Sequence, residues 1–345
     1  MAMTDNDAAG RRWLVEHGIG ETRAALVENG HIVAAHIWRD SLQPHAGQTV
    51  EAMLETATPP QARLANGALV VLSRTATGVS EGAAIRVTVQ RGPIVERSGL
   101  HQRIKPARGH LATADSALTG DEAAAWFETG DDPVERVIAV PPPAADALAI
   151  VGWDDLISEA ASGMVAFPGG TLLITPTPAM MVIDVDGTTA PAELARQAAV
   201  AAAGAIHRFD IGGVIAIDFP TLQRREERQQ VAQAFDAAMT GPFERTAVNG
   251  FGLMQVVRRR CGASLTELCQ LRPVESAILA LLRCAERWHQ PGDIALVVDA
   301  AGATLLSAMP QWIDALVRRS GRAVGIHQHA TDQHGYRLEP LGVGG

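Results

Sequence analysis

Residues 169–222 decide how the chain is read: GGTLLITP (169–176), MVIDVDG (181–187), PAELARQAAVAAAGAIHR (191–208) and GGVIAIDF (212–219). Leu172-Leu173-Ile174 and Met181 to Val185 are apolar runs on either side of a turn at Pro176 and Pro178, the pattern of a strand hairpin. Its second arm finishes in Asp184 and Asp186. The alanine-rich run predicts a helix from Pro191, with Glu193 in its first turn, that stops at Gly212-Gly213. Val214 to Ile217 is then a further apolar strand, and it delivers Asp218. Alternation along a strand sends Asp184 and Asp186 to one face, with Ile183 and Val185 on the other. Because a helical crossover returns the chain in the same direction, the strands ending in Asp184 and Asp218 are expected to be parallel, with all three aspartates at one sheet edge.

Carboxylates gathered in this way repel one another, and a hard divalent cation relieves the repulsion. Oxygen ligands suit magnesium or manganese, which keep several waters and bind through one or two carboxylates plus substrate phosphate. Asp184, Asp186 and Asp218 are therefore the candidate catalytic and metal-holding residues, and the chemistry is metal-assisted phosphoryl transfer. A single aspartate at a strand end is more often a solvated turn residue. What favours a site is that Asp184 and Asp218 each close an apolar run, where ligands sit in open α/β sheets.

The 345 residues allow two domains or one with insertions, and 47% apolar with 19% charged residues is ordinary for a soluble globular protein. A net charge of -9 argues against gripping nucleic acid by overall charge and leaves only a local basic cleft. Cys261, Cys269 and Cys284 form neither a CxxC nor a disulfide framework, so a reducing cytoplasm is the expected setting. Met1 to Ala9 lacks the features of a signal peptide, and the most apolar run, Ala198 to Ile206, is too short to span a bilayer, so no membrane association is expected.

Working outward, residues 11–40 carry apolar runs around Glu28-Asn29-Gly30, a strong hairpin signal. Short strands at 49–55, 62–64, 68–72 and 84–90, broken by turn residues, predict a small barrel. No aromatic residue falls between Trp38 and Trp126, so this barrel has no platform for stacking bases. Arg97, Arg103, Lys105 and Arg108 form a loose basic stretch that reads as solvated surface, and Pro141-Pro142-Pro143 reads as a linker. Beyond Asp218 come a charged helix from Gln223 to Met239, an apolar run from Leu253 to Val257 and the triplet Arg258-Arg259-Arg260, a candidate contact for substrate phosphates. A helix from Val274 to Trp288, a strand Ile294 to Val298, a helix from about Thr304 to Arg319 and a strand Ala323 to Gln328 make a βα tail. His327, His329, Asp332 and His334 near its end follow no regular ligand spacing, which favours surface histidines over zinc.

Several stretches, taken in order, resemble the ribonuclease E/G family. They are Gly20-Glu21-Thr22-Arg23-Ala24, Gly169 to Ile174 through Ile183-Asp184-Val185-Asp186, Gly212 to Phe219, and Phe251-Gly252-Leu253-Met254 with the arginines that follow. The resemblance is best over 153–265 and extends to 13–40. It implies an α/β (mixed α+β) fold with a parallel or mixed-sheet catalytic core, an inserted small S1-like β-barrel and a C-terminal βα subdomain. The expected division is an N-terminal hairpin region packing on the core at 11–40, the barrel at 41–108, a shortened connecting region at 109–152, a DNase I-like core at 153–260 and a small α/β subdomain at 261–345.

The resemblance also implies an endoribonuclease acting on single-stranded RNA, with Asp184 and Asp218 matching the family's magnesium-binding aspartates and Asp186 standing where the family has an asparagine. Thr221 replaces a common aspartate, and no paired cysteines follow Arg260, so a zinc-linked tetramer is not expected and a monomer or dimer is. Two other readings stay open. One is a non-catalytic RNA-binding relative, suggested by Asp186 and the acidic charge. The other is a phosphatase of the haloacid-dehalogenase type, which Ile183 to Thr188 also resembles, with Asp184 as nucleophile and Asp186 as general acid/base. No lysine follows that motif, because Lys105 is the sole lysine.

Overall fold

A computed structural model describes residues 10–74, 78–99, 101–113, 116–119, 132–137, 146–328 and 335–341. Trp126, the run Pro141 to Pro143, and His329, Asp332 and His334 lie outside the described residues. The fold is mixed α+β, and the chain divides into two compact units, one of residues 1–32, 133–154 and 272–345, the other of 33–132 and 155–271.

In the first unit, β1 (Arg12–His17) pairs antiparallel with β2 (Glu21–Glu28) and parallel with β11 (Val134–Val137). After β2 the chain turns through Asn29 and Gly30, at φ 52° and 79°, into β3 (His31–Arg39), which belongs to the second unit from Val33 onward. Positive φ at both central residues is the hairpin turn that Asn-Gly favours. The short helix α1 (Ala147–Ile150) starts at Asp146, whose carboxylate caps Leu148 N and Ala149 N. The tail supplies α6 (Pro273–Glu286) and a sheet in which β18 (Ile294–Val298) lies between parallel β19 (Val324–Gln328) and antiparallel β20 (Arg337–Pro340). The predicted helix over 304–319 is two helices, α7 (Ala300–Ala308) and α8 (Pro310–Ser320). Pro310 has no N–H to donate inside a helix and instead opens a new one at its first position.

The motif Gly20 to Arg23 has a structural explanation within this unit. A Cβ on Gly20, which sits at φ +76°, would come within 2.5 Å of the Trp312 ring. Glu21 pairs with Arg283. Arg23, 2% exposed, lies 3.1 Å from Glu16 and 2.8 Å from Asp146, and its guanidinium rests over Trp153. Arg287 completes the cluster at 2.7 Å from Glu16. Burial opposes the Arg23 charge, but Glu16 and Asp146 outweigh it and hold its pKa above the ordinary value.

In the second unit, β4 (Thr49–Ala57), β5 (Pro60–Arg63), β6 (Leu69–Leu72), β7 (Ala84–Arg91) and β10 (Ala107–Leu111) close a five-stranded barrel, as expected of the S1-like region. Small and branched residues such as Ala62, Val70, Val87 and Ala107 fill it. The hairpin of β8 (Ile94–Ser98) and β9 (His101–Lys105) absorbs part of the loose basic stretch, since Arg103 and Lys105 both pair with Glu96.

The same unit contains a six-stranded sheet in the order β12 (Met164–Phe167), β13 (Gly170–Pro176), β14 (Met181–Gly187), β15 (Gly213–Asp218), β17 (Leu253–Arg258) and β16 (Phe243–Arg245). Helix α5 (Leu265–Leu271) and all but the first two residues of α2 (Trp153–Ser162) belong to the unit as well. On one side of the sheet, α3 (Pro191–Arg208) packs against β12, β13 and β14, with α4 (Arg225–Ala238) beside it. Ala195, Ala198, Ala199 and Ala202 are buried, because alanine lets a helix approach closely, and Leu172, Ile183, Ile215 and Ile217 of the sheet are buried too. Removing that apolar surface from water at about 25 cal/mol per Å² is what fixes which face of the sheet is left for chemistry.

Candidate active site

With Ile183 and Ile217 buried, the alternation of the strands leaves Asp184, Asp186 and Asp218 exposed on the other face. β14 and β15 run parallel, and Asp184 is the register partner of Asp218. The two carboxylates thus stand side by side on adjacent strands, whose axes lie about 4.8 Å apart. Asp186 is two residues further along the same face, opposite Thr171 of β13. Among the described residues no hydrogen-bond or ion-pair partner is found for any of the three, and no group of three His, Cys, Asp or Glu is close enough to hold a metal ion. The structure therefore brings two of the three predicted carboxylates together and leaves Asp186 at the margin.

The register places other side chains in the same row. Met164 of β12 faces Leu173 of β13, which faces Asp184, and Asp218 faces Leu253 of β17. Met164, Leu173 and Leu253 are exposed, so apolar surface flanks the acidic pair on both sides. The loop entering β17 abuts Asp218, since Phe219 N donates to Gly252 O at 3.1 Å. Gly252 is at φ +98°, and a Cβ there would lie 2.0 Å from Phe219 O, so only glycine fits. Asn249 Oδ1 accepts from Phe251 N at 2.9 Å and from Leu253 N at 3.0 Å, which fixes the loop.

The arginine triplet is elsewhere. Arg258 is the partner of Gly213, at the opposite end of β15 from Asp218, a separation of five residues or about 17 Å along the strand. Arg258 donates to Ile211 O at 3.2 Å and lies 3.7 Å from Asp210, while Arg260 donates to Gly262 O and pairs with Glu267. Arg259 is the exposed member. Two of the three arginines thus secure the entry to β15. Sequence reasoning passed over a different basic feature, an open cleft of about 480 Å³ whose lining includes Arg225, Arg228 and Arg245 together with Ala247 and Val248 of the loop beside Asp218. Its signal was weak, because the arginines come from separate elements. Arg245 is also held by Asp236 at 2.6 Å, and Arg228 donates to Leu222 O at 2.7 Å.

The carboxylate pair closes two parallel strands on an exposed sheet face and offers oxygen donors there. Residues 110–261, which include it, match the model of the Ribonuclease E/G family, so the family resemblance holds over this segment. Over 125 residues the chain is 32% identical to Ribonuclease E of Nostoc sp., an alignment covering 32% of this chain and 18% of that protein. Over 150 residues it is 27% identical to Ribonuclease G of Escherichia coli K12, covering 36% of this chain and 30% of that protein. Ribonuclease G of Shigella flexneri matches to the same extent. The matched part thus spans less than a third of the length of these curated relatives. No helix among the described residues is long and apolar enough to cross a membrane.

Proposed function

We propose that the chain is a metal-dependent endoribonuclease that cuts single-stranded RNA and leaves 5′-phosphate and 3′-hydroxyl ends. The observation that carries this reading is the register pairing of Asp184 with Asp218 on an exposed face, inside the segment that matches the Ribonuclease E/G family. The donor set fits a magnesium or manganese ion, because hard cations take oxygen ligands and accept one or two carboxylates while keeping water and phosphate as the rest of their shell. When bound, the ion supplies positive charge to the phosphoryl oxygens and acidity to a water. Asp184 and Asp218 would hold such an ion, and Asp186, two residues further along the same face, would supply a further acidic oxygen beside it. Buried Ile183 and Ile217 stiffen the two strand ends beneath the pair. The compartment that fits this activity is the cytoplasm.

Purified protein incubated with end-labelled single-stranded RNA and Mg²⁺ or Mn²⁺ is expected to yield 5′-phosphorylated fragments. Asp184→Asn and Asp218→Asn each remove one ligand charge and are expected to lower cleavage by at least about 100-fold, while the circular dichroism of both variants stays as in the parent. Cleavage unchanged in both variants overturns the assignment. RNA binding without metal-dependent cleavage in the parent points to the non-catalytic relative, which the marginal position of Asp186 favours. The phosphatase reading is weakened by the single parallel strand pair in this sheet and by the lack of a lysine after Asp184.

A further inference from the structure

Among the described residues Phe251 is the one aromatic side chain left exposed, at 84%, and it projects from the loop that abuts Asp218. Leaving a phenyl ring in water forgoes a large burial gain, and the loop is not a loose one. Asn249 ties both Phe251 N and Leu253 N to its side chain, Gly252 N donates to Asn249 O at 3.2 Å, and Thr221 Oγ1 reaches Phe251 O at 3.5 Å. The ring is therefore presented on a braced loop next to the acidic pair.

We infer that Phe251 is a positioning residue that stacks a base of single-stranded RNA and so seats the adjoining phosphate at Asp184 and Asp218. The inference rests on the nuclease reading for its substrate class. Three observations choose a nucleobase as the occupant. The barrel has no aromatic residue between Trp38 and the end of β10 at Leu111, so it offers no stacking platform of its own. Leu173 and Leu253 extend an apolar surface on either side of the carboxylates, suited to the faces of unpaired bases. On the other flank of the same loop, Ala247 and Val248 wall the cleft that holds Arg225, Arg228 and Arg245, which supplies positive charge where a strand leaving Phe251 would carry its phosphates. Stacking on an aromatic ring is tolerant of base identity, because every base has a π-face.

The test measures binding in chelator, apart from any cleavage, by fluorescence anisotropy with short single-stranded RNAs that each lack one base at a successive position. Phe251→Ala is expected to weaken binding of intact RNA by roughly five- to a hundredfold, and Phe251→Trp to restore it. One abasic position is expected to weaken the parent protein and to have no effect on Phe251→Ala. The ring is 84% exposed, so truncating it removes little buried surface, and circular dichroism of both variants checks that they are folded. The inference is overturned if Phe251→Ala binds as tightly as the parent, if the abasic penalty survives in that variant, or if the parent binds no RNA. It is also overturned if Phe251→Ala changes only the sedimentation of the protein, which would make the ring a contact for a second copy. Phe251-dependent binding without Mg²⁺-dependent cleavage sinks the nuclease reading and leaves this one standing. Cleavage that depends on Asp184 and ignores Phe251 does the reverse.

Discussion

Acidification is expected to destabilise the second unit through His45. This imidazole is 8% exposed, and burial, then the neighbouring His36, push its pKa down from 6.5 to about 3 against a hydrogen bond with the Arg39 carbonyl. Arg39 and Cys261 also line its surroundings, and its Nε2 has no hydrogen-bond partner among the described residues, so a second proton there would be buried without an acceptor. The unfolded ring keeps its ordinary value of 6.5. A depressed folded value means that the stabilisation is complete above 6.5 and is lost as pH falls from there toward 3. Between about pH 7.5 and about pH 5 the unfolded chain takes up nearly one proton that the folded chain refuses, a loss of ~2 kcal/mol. Urea titrations across that range, in the parent and in His45→Gln, measure it as a difference of slopes, so any constant cost of the substitution cancels. Equal slopes refute the reasoning, as does an NMR titration in which the folded His45 ring protonates near 6.5.

Two further outcomes follow from the packing. Gly252→Ala forces a side chain onto Phe219 O at a left-handed backbone position, and it is expected to cost about 1–3 kcal/mol in denaturant unfolding and to lower RNA cleavage by moving the loop at Asp218. An unchanged midpoint would show that the loop yields without cost. Arg23→Ala removes the cation between buried Glu16 and partly exposed Asp146 and leaves Arg287 as their remaining partner, so the expected cost is about 3 kcal/mol, the low end for a broken buried pair, read as a lower thermal midpoint of the first unit.

The sheet that carries the candidate site was legible because its signals are local. Apolar runs ending in Asp184 and Asp218, with an alanine helix opening at Pro191 between them, leave one pairing that buries Ile183 and Ile217 together, and the parallel register follows. The barrel was legible for the same reason, through turn residues at close spacing. What sequence could not supply were relations between distant elements. The side-chain period shows that Asp186 shares a face with Asp184 but not that it stands away from the pair, because that depends on where β15 ends. Arg258 and Arg260 read as free cations until Asp210 and Glu267 are brought to them by the fold. Phe251 sits between Gly250 and Gly252 in a run of turn residues, which marks a loop tip but not the carboxylate beside which the loop lies. The break at Pro310 was also visible in the sequence, yet the apolar period on both sides masked it.

The first unit draws on stretches far apart in the chain, and this orders its assembly. Glu16 meets Arg287 across a separation of 271 residues, and β1 pairs with a strand that begins at Val134. On a ribosome that adds about 5–20 residues each second, the opening strands wait many seconds for their partners while the barrel and the carboxylate sheet between them are already complete. The nascent protein therefore passes through a stage in which its acidic pair is already synthesised while Glu16 still waits for Arg287.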